Sequence, residues 1–113
     1  MTITRMMDPL NDTNWNVWKG CMKRVFKLCK VSAYVFGDVE RPDPMLDPVG
    51  MENWDFNDSY AAILIYENIS SSQKVHTGQG NTAHAMWNNL EAIHETRGHT
   101  TWRELILINC REW

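Results

Sequence analysis

Four histidines (His76, His84, His94 and His99) and three cysteines (Cys21, Cys29 and Cys110) are the residues in this chain best suited to hold a metal or act as nucleophiles. Their spacing does not suit either role. A helical zinc site places two histidines four apart with a Glu beside the first, whereas His84 and His94 are ten apart and would point to different helix faces. All four histidines read as surface or boundary residues. No two cysteines have the spacing of a zinc pair. On one helix Cys21 and Cys29 would be separated by a rise of roughly 12 Å, too far for a disulfide. The cysteines therefore read as reduced thiols of an intracellular protein, and the sequons at Asn11, Asn57 and Asn68 as incidental. "GQGN", residues 78–81, lacks the further glycine and the strand-to-helix setting of a phosphate loop. The carboxylates crowd a proline-rich segment, where paired acid–base geometry would be hard to hold. The expectation is a protein that is not an enzyme, with no catalytic residue, no metal and no cofactor. A hydrolase is the most remote alternative.

The polar feature left over is a stripe of lysines, Lys19, Lys23, Lys27 and Lys30. It reads first as a solvated helix face. It could also touch an RNA backbone or pair with an acidic patch on another subunit. The whole chain has a net charge of −3, unlike a global nucleic-acid binder. The charge is unevenly spread: residues 1–36 carry six Lys/Arg against Asp8 and Asp12, and residues 37–67 carry eight acids against Arg41 alone. One side of the molecule should be positive and another negative.

The 113 residues suffice for one domain, with residues 1–9 as a flexible lead-in. No apolar run approaches the ~20 residues that span a bilayer, so no membrane partner is expected. "NDTN" supplies helix-start chemistry, with Thr13 or Asn14 as N-cap. From Trp15 to about Val31, the apolar Trp15, Trp18, Met22, Val25, Phe26 and Cys29 recur at intervals of three, four, three, one and three, a helical stripe that places both tryptophans in the core. "VSAYVFGD" reads as extended or turn-like and closes at Gly37. Pro42, Pro44 and Pro48 forbid a regular helix over the next dozen residues, giving a long acidic loop. A second helix is expected from Trp54 to about Ile69, with Trp54, Asp58, Ala61, Ala62, Ile65 and Ile69 on one face. Tyr60, Ile63, Leu64 and Tyr66 make its other faces apolar as well, as in a central helix or one covered by another subunit. "AAILIY" alone would also suit a buried strand. After a polar loop, Asn81 or Thr82 caps a third helix carrying Ala83, Met86, Trp87, Leu90 and Ile93. Gly98 ends it, and Thr101 with Glu104 forms a capping box for a fourth, with Leu105 and Ile108. The fold class is all-α, a small bundle of four to five helices with a long acidic, proline-rich loop.

An ordered set of these residues resembles the N-terminal, capsid-like part of the Gag polyprotein of copia-type LTR retrotransposons. The family opens with a Leu-Asn-x-x-Asn-aromatic-x-x-Trp signature, matched by Leu10, Asn11, Asn14, Trp15 and Trp18, with Met22 at the next hydrophobic place. Gly37 and Pro42 match its next pair. Trp54, Asp58, Ala61 or Ala62, and Ile65 match its second helix, and Thr82, Ala83, Trp87 and Leu90 its third. The set covers residues 10 to 95 or so. His94 stands where the family carries an aromatic, and the match fades after Gly98. The resemblance implies a capsid N-terminal domain without the second capsid domain and without the Cys/His knuckle that grips RNA.

The expected function is structural: self-association, or interaction with related Gag subunits, within a cytoplasmic retrotransposon particle. The family-motif core is Leu10, Trp15, Trp18, Met22, Trp54, Ile65, Trp87 and Leu90, with Phe26 and Met86 as further core candidates. The candidate interface is Lys19, Lys23, Lys27, Lys30, Tyr60, Ile63 and Leu64. The partners are other copies or related Gag chains, with at most a weak RNA contact and no small-molecule substrate. The alternatives are an RNA-binding module using the lysine stripe, and a host-recruited Gag fragment that interferes with particle assembly.

Overall fold

The computed structural model describes residues 7–78 and 81–109, with side chains as far as residue 96. Within that range the chain is all-α, with no strand. Five helices succeed one another: α1 (Trp15–Leu28), α2 (Ser32–Val35), α3 (Pro48–Glu67), α4 (Ser71–Lys74) and α5 (Ala83–Asn109), and a 3-10 turn (Val75–Thr77) extends α4. Residues 1–6 of the expected lead-in lie outside the described residues. Met7 packs against the core, and the Pro9 carbonyl accepts a hydrogen bond from Asn14 Nδ2 at 3.1 Å. Leu10 then pairs with the linker after α3: its N–H donates to the Asn68 carbonyl at 2.9 Å and its carbonyl accepts from Ser70 N at 3.0 Å.

The apolar stripe of α1 buries Trp15, Trp18, Met22, Val25 and Phe26. Trp18 and Trp87 are stacked at 5.7 Å between ring centroids, and Phe26 meets Trp87 edge-on at 5.4 Å, geometries that add to simple area burial. α1 closes through Lys30, whose φ of 63° is left-handed, with Val31 N donating back to the Phe26 carbonyl at 2.9 Å, a Schellman-type ending. That reversal buries Val31 and Val35 four apart. Ser32–Val35 therefore form a single helical turn, α2, the turn-like of the two forms expected from sequence. Beyond it, Gly37 has φ 74°, and a Cβ there would lie 2.8 Å from the His84 ring. Both conditions call for glycine.

The second long helix starts at Pro48 and not at Trp54. Proline is excluded from a helix interior but suits the first turn, where its missing N–H has no partner to lose. Asp47 caps this start, its Oδ1 accepting from Gly50 N at 3.0 Å. The acidic loop is thus shorter than expected, and it is pinned to α3. Arg41 forks onto Asp55 at 2.8 and 3.0 Å, and Trp54 Nε1 donates to the Val39 carbonyl at 2.9 Å. "AAILIY" lies within α3.

α5 packs against α3, α2 and the 3-10 turn. Its start is satisfied twice: Thr82 Oγ1 accepts from Ala85 N at 3.1 Å, and Asp58 Oδ1, from α3, accepts from Ala83 N at 2.9 Å. The expected break at Gly98 is absent, and the backbone is helical from Ala83 to Asn109. A glycine inside a helix costs only about 1 kcal/mol relative to Ala. The capping-box side chains Thr101 and Glu104, those of Leu105, Ile108 and His99, and residues 79–80 and 110–113 lie outside the described residues.

His94 is only 4% exposed, against the expected surface or boundary place. It continues the buried series Ala83, Trp87, Leu90 at intervals of four, three and four. Its ring stacks on Trp15 at 5.1 Å, with the two planes 7° apart. Its Nε2 lies 2.6 Å from Gln73 Oε1, while Gln73 Nε2 donates to Asp12 Oδ1 at 2.9 Å. With the amide so oriented, His94 Nε2 is the donor to Gln73 Oε1.

Candidate functional site

The core consumes much of what the sequence offers. Leu10, Trp15, Trp18, Met22, Ile65, Trp87 and Leu90 are all buried, and Trp54 is half-buried. Leu64, expected at an interface, has no exposure at all. It sits on the same side of α3 as Ala61 and Ile65 and offers nothing to a partner. Tyr60 is half-buried, with its hydroxyl 3.6 Å from Cys29 Sγ. Of the three expected apolar contact residues, only Ile63 is exposed, at 52%.

The lysine stripe also divides. Lys19 is tied inward: its Nζ lies 2.7 Å from Glu95 Oε2 and 3.4 Å from Glu91 Oε2, both on α5. The same Glu95 oxygen accepts from Trp15 Nε1 at 2.8 Å. The hydrogen bond from Lys19, then that from the Trp15 indole, holds the Glu95 carboxyl below its ordinary range. Lys19 is raised in turn, chiefly by its hydrogen bond to Glu95. Lys23 is exposed, with its Nζ 5.9 Å from the centroid of the Phe36 ring. Lys27 and Lys30 are exposed and form no ion pair among the described residues. Arg24, absent from the set expected from sequence, shares this condition.

The structure adds two apolar features that periodicity alone did not single out. On α1, opposite the core stripe, Val17 is 73% and Leu28 66% exposed. Arg24 lies on the line between them, and Gly20 is on the same face, with no atom within 4 Å of where its Cβ would be. On α3, Val49, Phe56 and Ile63 recur every seven residues and are 67%, 71% and 52% exposed. A seven-residue interval keeps side chains on one line of a helix, and that line faces away from Ala61, Leu64 and Ile65. Met45 and Leu46 extend it at the loop end, almost fully exposed. Large apolar side chains gathered on one face of a small protein mark a contact surface far more often than singly scattered ones do. The seven-residue interval was visible in the sequence, but the proline at its start hid the first turn of the helix that carries it.

Charge differs between the two faces. Lys23, Arg24, Lys27 and Lys30 surround the α1 feature, whereas Asp43, Asp47 and Glu52 surround the α3 feature. Asp58, also on α3, faces inward to α5, and burial pushes its carboxyl above the usual range, partly offset by the Ala83 N–H. A shallow, open groove of about 360 Å³ lies beside Ile63 and Tyr66, closed on its other side by Thr77, Asn81 and Met86. Among the described residues no group of three or more His, Cys, Asp or Glu is placed to hold a metal ion, and no helix is long and apolar enough to cross a membrane.

No family model, curated protein or solved structure matches the chain.

Proposed function

We propose that this chain is a structural, self-associating protein of the Gag capsid type, whose copies meet head to tail. The observation that carries the reading is the pairing of two exposed apolar faces with opposite charge: the α1 face ringed by Lys23, Arg24, Lys27 and Lys30, and the α3 face ringed by Asp43, Asp47 and Glu52. Different surfaces meeting head to tail make rings where the rotation closes and open arrays where it does not. The ordered motif from Leu10 to Leu90 supports the capsid reading independently of this geometry. Catalysis and small-molecule binding form no part of the proposal, and the place of action is the cytoplasm.

Sedimentation velocity over a range of concentration and salt tests it. Association is expected to be weak, and to weaken further as salt rises, because charges at the edge of a contact are screened beyond about 8–10 Å. Joint replacement of Lys23 and Lys27 by Glu should reduce it, and Ile63→Asp should abolish it. A strict monomer at about 1 mM, where even the weakest specific contacts register, would overturn the proposal.

A second reading, RNA binding, draws on the exposed Arg24, Lys27 and Lys30, which have no ion-pair partner among the described residues. Three or four cations neutralise few phosphates, so this reading yields sequence-independent dissociation constants of about 10⁻⁴–10⁻⁶ M. Sub-micromolar RNA binding in a fluorescence titration at near-physiological salt would place RNA ahead of assembly.

A further inference from the structure

We infer that the contact between copies is one antiparallel helix pair, the outer face of α1 lying against the outer face of α3 of a second copy. This rests on the assembly reading and goes beyond it by fixing the surfaces and their register.

Each outer face is one-dimensional. On α1, Val17 to Leu28 spans eleven residues, about 16 Å of helix rise. On α3, Val49 to Ile63 spans about 21 Å on the same scale. The occupant of the α3 face is chosen by charge: the face is acidic at its N-terminal end, where Asp43, Asp47 and Glu52 stand exposed, and α1 is most basic at its C-terminal end, around Arg24, Lys27 and Lys30. Bringing those two ends together forces the helices antiparallel, which also opposes their macrodipoles favourably.

Shape then fixes the register. Phe56 is a large aromatic side chain projecting into solvent, 71% exposed. The matching depression on α1 is Gly20, where nothing stands within 4 Å of a would-be Cβ. Setting Phe56 over Gly20 in the antiparallel sense brings Arg24 beside Glu52 and Leu28 beside Val49. It leaves Val17 opposite Ser59, one turn short of Ile63. Leu28 then meets Val49, Phe56 enters the open space at Gly20 and the charged pair has opposite signs, while a slip of one helical turn sets Arg24 against Phe56 and Leu28 against Glu52. Lys27 and Lys30 reach toward Asp43 and Asp47, at the rim. One helix pair is a small contact, below the roughly 1,200 Å² of stable complexes, in keeping with association that is weak in the isolated chain.

The test is sedimentation velocity of the full chain and four variants: Arg24→Glu, Glu52→Arg, the two combined, and Gly20→Leu. Arg24→Glu and Glu52→Arg should each raise the dissociation constant about tenfold, and combining them in one chain should restore it to within about threefold. Gly20→Leu should weaken association as strongly while leaving or improving thermal stability, because the monomer has open space there and glycine is a poor helix former. If wild type associates but none of these variants changes it, the contact lies elsewhere and the assembly reading stands without this geometry. If the single variants weaken association and the double variant is no better, the Arg24–Glu52 register is wrong. A strictly monomeric wild type removes the inference together with the assembly reading.

Discussion

α1 and α3 are built from similar materials and use them differently. α1 sorts its residues cleanly. Trp15, Trp18, Met22, Val25 and Phe26 go inward, and only Val17 and Leu28 break an otherwise polar outer face. α3 carries apolar residues on every side. It sends Ala61, Leu64 and Ile65 inward and leaves Val49, Phe56, Ile63 and Tyr66 in solvent. An amphipathic helix needs only its own core to be satisfied. A helix apolar all round has a surplus that its own chain does not cover. Both helices thus carry stability on the inner face and contact on the outer one, but α1 offers a narrow, basic outer face with two apolar residues, whereas α3 offers a broad apolar one.

The sharpest way to break that comparison is at Trp18. It is 1% exposed and stacked on Trp87, and its Nε1 donates to the Asn68 carbonyl at 2.7 Å. Trp18→Ala would open a cavity and leave the carbonyl that anchors Leu10 without one of its donors. Truncations of this kind cost about 3–5 kcal/mol, a large share of the stability of a small domain. Urea denaturation is the check. A loss under about 1 kcal/mol would mean that Trp18 is not a core anchor and that α1 does not sort its residues cleanly.

The two helices also differ in how far they could be read from sequence. The intervals of α1 carry enough periodicity to place its whole buried face. α3 hid its first turn because Pro48 reads as a breaker until Asp47 is seen capping from the preceding position. Within α3 periodicity alone did not separate Leu64 from Ile63: both neighbours are apolar, and only the packing of α5 and α2 decides which is covered. His94 was legible in principle, since it continues the interval pattern of Ala83, Trp87 and Leu90, but its polar type outweighed its place. Asp58 was legible only as a residue on the buried face. Its role as acceptor for the first N–H of α5 joins residues 25 apart in the chain, and no local pattern encodes that. Gly98 had the composition of a helix stop without the left-handed turn that makes one.

A smaller effect should appear where α1 meets α5. Glu95 is held below its ordinary value by Lys19 and the Trp15 indole. A depressed folded-state carboxyl stabilises above its unfolded value, about 4.3, and that stability is lost as pH falls through the folded value. Lys19 is raised, so its share is complete below its ordinary value, about 10.4, and is lost as pH rises through the folded one. The pair thus works between roughly pH 5 and pH 10. Both side chains are partly exposed, at 23% and 46%, so solvent limits the total to about 1 kcal/mol or less. Glu95→Gln keeps an acceptor for the indole and removes the charge. The stability gap between wild type and this variant should be largest near neutrality and close toward pH 3. A gap as wide at pH 3 as at pH 7 would mean that the carboxylate charge contributes nothing there.

The smallest expected change, and the one that most directly sets α3 apart from α1, is Phe56→Ala. Phe56 is the same side chain as Phe26 of the core, yet it is 71% exposed, and none of the ring contacts of the core involves it. Its removal takes away almost no buried area, and alanine is the better helix former. Stability in dilute solution should therefore move by less than about 0.5 kcal/mol. The same substitution should lower self-association, because the side chain's apolar surface is then no longer available to be buried between copies. The two effects are separable by concentration: thermal melting at low protein concentration reports the monomer, and melting at high concentration includes whatever the contact adds. Wild type should gain stability on concentration, and Phe56→Ala should gain less. A loss of several kcal/mol in dilute solution would place Phe56 in the fold and take it out of the contact. An unchanged concentration dependence would leave the monomer's account of Phe56 intact and withdraw it from the contact.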